Sequence, residues 1–228
     1  MFSRSIRMNI FVAVFVPLTI TLGLWQLDRG AQKRDMEMAY LTKLTELAVA
    51  PTEESLSTSF QRIRLSGEYK SEYFLVDNQV KDGQIGYWVI HRFVSDSESY
   101  LINRGFVAGT EARSVLPKVD VPSGTQDIVG VVWPFTGLLP VYDEDIWAND
   151  WPKRVQRLDI ERMAEVAGAH AVELRLEADQ VGVLIAAPFA KVLSDEKHLG
   201  YAATWFGLFA ALIMLYAYFT WRQRQEAE

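Results

Sequence analysis

The sequence predicts an α+β membrane protein in which two transmembrane helices flank a mainly antiparallel β domain with a few helices. Three observations predict it. Two long apolar stretches lie near the ends of the 228-residue chain. The segment between them is polar and acidic, and within it short β-type runs recur between turn residues.

The first stretch, "IFVAVFVPLTITLGLWQL" from Ile10 to Leu27, runs 18 residues without a charge. As a helix at 1.5 Å per residue it spans about 27 Å, close to the hydrocarbon thickness of a bilayer. The second, "LGYAATWFGLFAALIMLYAYFTW" from Leu199 to Trp221, runs 23 residues, or about 34 Å. Pro17 is tolerated in a membrane helix, and Trp25, Trp205, Tyr216, Tyr218 and Trp221 stand near span ends, where amphipathic rings favour the interface. Arg4 and Arg7 before the first run also suit a secretory signal peptide, but the run is long for such a core and no clear small-x-small cleavage site follows. It reads as an uncleaved anchor. The expected organisation is residues 1–27 for the tail and first span, 28–197 for the extramembrane domain, 198–221 for the second span and 222–228 for the tail.

Residues 28–197 carry 19 Lys+Arg against 27 Asp+Glu. Nucleic acid and anionic lipid are therefore not expected on that surface. The tails "MFSRSIR" and "RQRQEAE" are too short to fold, which leaves the middle as the working domain. Arg4 and Arg7 compete with Arg29, Lys33 and Arg34 for the cytoplasmic side. Arg222 and Arg224 tip the expectation toward cytoplasmic termini and an outward-facing middle. The chain has no cysteine, which excludes disulfides, thiolate metal sites and a cysteine nucleophile.

After Leu27, "DRGAQKRDMEMAYLTKLTELA" is rich in helix formers, so the first helix is expected to continue into water until Pro51. Met36, Tyr40, Leu44 and Leu47 give it one apolar stripe to lay on the domain. The runs "QRIRLSGEYK", "EYFLVDNQV", "IGYWVIHRFV", "SYLINRGFV", "DIVGVVWPF" and "AVELRLEA" read as strands of one partly closed sheet. Asp82-Gly83 marks a hairpin. "RLDIERMAEVAGA" reads as a helix capped by Asp159 and ended at Gly168.

Few side chains suggest chemistry. The acidic run with Asp143, Glu144, Asp145 and Asp150 lacks the basic or apolar company that splits the pKa values of a catalytic pair, and reads as a solvated loop. His91 on a strand and His170 after a helix end lie near no Gly-x-Ser-x-Gly turn, and His170 reads as structural. Met36 and Met38, with neither Cys nor His nearby, read as packing residues. There is no phosphate-cradling glycine loop. His198, in "KHLGYAATWFG", is different. Tyr201, Ala202, Trp205 and Phe209 share its helical face, so an imidazole, a small gap and aromatic rings stack on one side. That pattern suits a metal ligand beside a flat macrocycle, and equally an interfacial histidine in an aromatic belt.

The segments "LGLWQLDRGAQK", "YFLVDNQVKDGQIGYWVI", "YLINRGFV" and "HLGYAATWFGLFAAL", in this order and spacing, closely resemble the surfeit-locus protein family, membrane proteins that assist assembly of cytochrome c oxidase. The resemblance covers the whole architecture. It puts the family's Gly-x-Trp-x-x-x-Arg signature on Gly23, Trp25 and Arg29, its Asn-Arg-Gly strand end on Asn103, Arg104 and Gly105, and its membrane-edge histidine on His198, followed by Tyr201, Thr204, Trp205 and Gly207. The chain departs from the pattern at Gln79, at His91-Arg92 and at Phe106, where the family often has Arg, Thr-Pro and Trp.

The resemblance implies an oxidase-assembly factor of the inner membrane that helps deliver or stabilise haem a in subunit I. His198 would be the axial ligand of the haem iron, with Tyr201 and Trp205 beside it; Trp25 and Arg29, four apart on one helix face, suit a contact with the haem and its propionate, and equally anchoring of the helix at the interface. Oxidase subunit I and haem a synthase would be partners. The alternative is a cofactor-free membrane scaffold that clasps an oxidase subunit. A sensor lacks room for an output domain after Trp221, and an enzyme is not expected, since no nucleophile, base and oxyanion site converge.

Overall fold

The computed structural model describes residues 4–135, 137, 138, 140, 146–186 and 195–225. Two compact units emerge, Met1–Ala39 with Phe189–Glu228, and Tyr40–Pro188.

The first unit is built from two long helices, α1 (Arg4–Leu44) and the last helix of the chain (Glu196–Gln225, α4 below). Both are long and apolar enough to cross a membrane, and only 11% and 6% of their apolar windows are buried. A core helix of a soluble protein would bury most of that surface; these leave Phe11, Val14, Leu24, Leu208, Met214 and Leu215 open, as lipid-facing helices do.

α1 does continue past the apolar stretch, but it stops at Leu44 rather than at Pro51. The backbone N–H groups of Thr45 and Glu46 turn back to the carbonyls of Thr42 and Lys43, and the Thr45 hydroxyl donates to the Thr42 carbonyl at 2.7 Å. Such three-residue bonds tighten and end a helix. Leu47 therefore falls beyond the helix and is 83% exposed, so the expected stripe loses its last member. Tyr40 is buried, packing edge-on against Phe60 and Trp133.

In the second unit the short α2 (Glu53–Ser57) is capped by Thr52. Among the described residues six strands follow: β1 (Arg62–Lys81), β2 (Gln84–Ser95), β3 (Glu98–Ala108), β4 (Gln126–Trp133), β5 (Lys153–Val155) and β6 (Glu173–Leu176). The first two expected runs form one strand of 20 residues. Its first half pairs with β4 and its second half with β2. Since β2 also pairs with β3, β3 with β6, and β6 with β4, these five strands close into a ring. Closure removes the free edges that a sheet would otherwise expose. Pairing is antiparallel except for β3 with β6 and β5 with β1.

The β1–β2 hairpin turns at Asp82-Gly83, both with positive φ (50° and 80°), as a two-residue turn matched to strand twist requires. Asp96-Ser97 makes the corresponding turn between β2 and β3 at φ 48° and 69°. The third helix, α3 (Ile160–Ala167), is capped by the Asp159 carboxylate and closed by Gly168 in the left-handed region, as the sequence predicts.

Every strand of the ring sends alternate side chains inward to one cluster, including Ile63, Leu65, Phe93, Ile102, Ile128 and Leu174. α3 covers the outer face, where Ile160 and Met163 meet Phe74, Ile90 and Leu101.

Candidate functional site

Within the first unit, Gly23, Gln26, Gly30 and Arg34 lie three or four residues apart and form one stripe of α1. α4 turns Asp195, which precedes its first turn, and His198, Ala202 and Phe206 toward that stripe. Gly23 is where the packing is tightest, because a Cβ there would lie 2.7 Å from the Phe206 ring. A Cβ on Gly30 would meet the His198 Cβ at 3.5 Å. Small residues at such points let membrane helices approach closely, and Ala202 is buried in the same seam.

Polar groups bridge the seam along its length. Tyr216 donates to the Asn9 side-chain oxygen at 3.2 Å, and Arg34 pairs with Asp195. Between them His198 Nδ1 lies 2.8 Å from Gln26 Oε1. With the amide oxygen as acceptor, this bond needs the tautomer with the proton on Nδ1, which leaves the lone pair on Nε2. Among the described residues Nε2 makes no hydrogen bond, and the residue is half-buried.

Of the other residues singled out in the sequence, Trp205 and Phe209 are half-buried on the His198 side of α4, whereas Tyr201 is 58% exposed. Thr204 is bonded to the Gly200 carbonyl of its own helix. Trp25 stands two residues from Gly23, about 200° around the helix, and Arg29, four residues on from Trp25, is exposed. Trp25 is 52% exposed, and the Arg29 guanidinium donates to Gln32 of its own helix at 2.8 Å. The structure thus joins His198 to Gln26 across the seam, and does not join it to Trp25 and Arg29. Sequence reasoning missed Gln26; its signal was an uncharged amide in an apolar run, one stripe position from a signature glycine.

The Asn-Arg-Gly run has a separate structural role in the barrel. Asn103 donates to Glu173 at 2.6 Å, and its side-chain oxygen accepts the Gly105 N–H. Gly105 sits at φ 100°, and a Cβ there would lie 2.3 Å from the Ile185 carbonyl oxygen, so glycine is required. Arg104 is buried, and among the described residues no carboxylate bonds its guanidinium. It donates to the Gly182 carbonyl at 2.6 Å, to the Asp120 carbonyl at 2.8 Å and to His91 Nδ1 at 2.9 Å, and lies over the Tyr69 ring.

His91 donates from Nε2 to the Lys70 carbonyl at 2.6 Å, so both of its nitrogens are engaged. Burial pushes its imidazole down to about 4. Burial also lowers the Arg104 guanidinium below its usual range and pushes the Tyr69 hydroxyl up to about 12. This cluster ties β3 to the segments at Asp120 and Gly182; it holds the fold and offers no free ligand. His170 is structural too, stacked on Tyr100 and bonded to Glu98.

A cavity of about 690 Å³ beside β5 is lined by Asp77, Asn78, Arg113 and Arg154. Arg113 is turned onto Asp77 and Asn78, and Arg154 onto the Arg113 carbonyl, so these donors are already engaged. Among the described residues no group of three or more His, Asp and Glu could hold a metal ion. Of the acidic run, Asp143, Glu144 and Asp145 lie outside the described residues, and Asp150 is exposed.

Two apolar helices and a closed β barrel define a class of two-span membrane protein with one extramembrane domain. The SURF1 family model matches residues 13–210. The chain belongs to the SURF1 family. It is 29% identical to Surfeit locus protein 1 of Takifugu rubripes, over 88% of this chain and 92% of that protein. It is 24% identical to a SURF1-like protein of Rickettsia felis, over 92% and 95%, and 25% identical to Surfeit locus protein 1 of Homo sapiens, over 90% and 75%.

Proposed function

We propose that this chain is an assembly factor for cytochrome c oxidase that helps deliver or stabilise haem a in subunit I. The family membership and the resemblance of the motifs support the assembly role. The observation that carries the haem reading is the His198 imidazole, bonded through Nδ1 to Gln26 and with no hydrogen bond to Nε2 among the described residues.

In this reading haem a is cargo, and Nε2 supplies one axial bond to its iron. The residues fit such a group: the imidazole keeps a nitrogen without a hydrogen bond among the described residues, and Trp205 and Tyr201 supply rings for the macrocycle. Trp25 and Arg29 act at the far face of α1, where an indole and a guanidinium anchor a helix in the headgroup region. One ligand from this chain holds the cargo weakly enough to pass on to subunit I, and haem a synthase is the natural donor. The barrel domain faces away from the cytoplasm across the inner membrane, with both termini cytoplasmic. The chain performs no catalysis.

Deletion of the gene should lower both oxidase activity and haem a content; unchanged values in both would overturn the assembly role. His198→Ala, co-expressed with haem a synthase, should insert normally and lose or shift its haem spectrum. An unaltered spectrum leaves the cofactor-free scaffold as the better reading. Reporter fusions at Glu53 and Glu228 test topology, and alkaline phosphatase activity at Glu228 contradicts the proposed orientation.

A further inference from the structure

We propose that Gln26 is a positioning residue for His198, accepting the Nδ1 proton on its side-chain oxygen and so fixing Nε2 as the nitrogen offered to a metal. The inference rests on the haem reading for its purpose, but its geometry stands without it.

A neutral imidazole has one proton for two nitrogens, and only the bare nitrogen can ligate. In a water-poor helix seam the choice between tautomers falls to whichever partner reaches the ring. Gln26 is that partner, at 2.8 Å from Nδ1. Gly30, one turn further along α1, has no side chain to hold the helices apart, and His198 packs over it. Asp195 stands three residues before His198, and its Cβ would lie 3.7 Å from a Cβ on Gly30. Its carboxylate is taken by Arg34, so the imidazole meets a neutral oxygen and not a charge. A neutral acceptor orients the ring without making Nε2 strongly basic. Partners of this kind fix the orientation of ligating histidines, and their loss typically weakens metal affinity by about 10–100-fold.

The test uses the full chain in detergent with nitrogen-15 in its three histidines, the His198 signals being assigned by their absence in His198→Ala. Long-range proton–nitrogen correlation spectra without haem should show the Nδ1–H tautomer at His198. Gln26→Leu should shift it toward Nε2–H. Gln26→Glu, which keeps an acceptor and adds no donor, should restore it. In a haem a titration followed by the Soret band, Gln26→Leu should raise Kd about 10–100-fold with helix content unchanged. An Nε2–H tautomer in the wild type, or the same tautomer in Gln26→Leu, overturns the positioning role whatever happens with haem. A tautomer that responds as expected while His198→Ala binds haem a as tightly as wild type overturns the ligand assignment, and with it the ligating purpose given to Gln26.

Discussion

The barrel and the helix pair each hold a histidine against a polar partner, and they use its two nitrogens in opposite ways. His91 accepts on Nδ1 from Arg104 and donates from Nε2 to the Lys70 carbonyl. His198 donates from Nδ1 to Gln26 and leaves Nε2 open. The first ring is fully inside and both of its atoms are committed, so it stabilises. The second is half-buried at a seam, and among the described residues its Nε2 makes no hydrogen bond. Hydrogen-bond capacity, more than burial, is what sets the two apart.

The barrel side of the comparison breaks most sharply at Arg104. Arg104→Met leaves the Gly182 and Asp120 carbonyls and His91 Nδ1 without their donor inside the domain. The expected loss is about 3–5 kcal/mol, as for removal of one member of a buried polar network. Denaturant unfolding of the detergent-solubilised chain, followed by near-ultraviolet dichroism, measures it. A midpoint within error of wild type would mean that the guanidinium is dispensable.

His91 predicts a pH dependence. Its folded pKa of about 4 lies below the ordinary value of 6.5. Below pH 6.5 the unfolded chain therefore takes up a proton that the folded chain refuses. Stability is complete above pH 6.5 and is lost as pH falls toward 4. Between pH 6.5 and 5 the loss should be about 2 kcal/mol, before most carboxylates titrate. His91→Gln should flatten this slope, whatever its effect on absolute stability; an unchanged slope assigns the dependence to another group.

The same contrast explains what was legible in the sequence. Local chemistry was plain: Asp82-Gly83 turns, Asp159 caps and Gly168 closes where the residue types demand it. The turn at Asp96-Ser97 was not, because a left-handed pair without glycine carries little signal. Nor was β5, three residues long, nor the closure of the ring, which depends on one strand changing partner halfway along. For the candidate site, the His198 face could be read from helical spacing. Gln26 could not, since it meets His198 only through the register of two helices 172 residues apart in sequence. The burial of Arg104 was hidden for the same reason: its acceptors come from Gly182 and Asp120.

The helix pair should be sensitive to size at Gly23. Gly23→Val puts a branched side chain where even a Cβ would lie 2.7 Å from the Phe206 ring. Forcing such a contact costs about 1–3 kcal/mol. Because the chain lacks cysteine, a pair introduced at Gly30 and His198, where the Cβ atoms would lie 3.5 Å apart, reports helix apposition without background. Its oxidation should slow in Gly23→Val and recover when Phe206→Ala is added. Equal rates in all three would mean that the seam does not depend on this contact.

The smallest effect is expected at Arg29, which helical spacing sets on one face with Trp25 and which bonds along its own helix to Gln32. Its guanidinium is held by Gln32, which itself donates to Asp28 at 2.8 Å, a chain of bonds along one helix. Such exposed contacts are worth little, because water competes for each of them. Arg29→Lys keeps the charge and loses the planar fork that pairs with two oxygens at once. If the residue only anchors α1 at the interface, a lysine serves nearly as well, and haem a retention should change by less than about twofold, equivalent to about 0.4 kcal/mol. Trp25→Phe, on the same face, should behave alike. A loss of haem comparable to that of Gln26→Leu would place a haem carboxylate on the Arg29 side of α1, and the comparison between an open His198 seam and an uninvolved far face would then have to be redrawn.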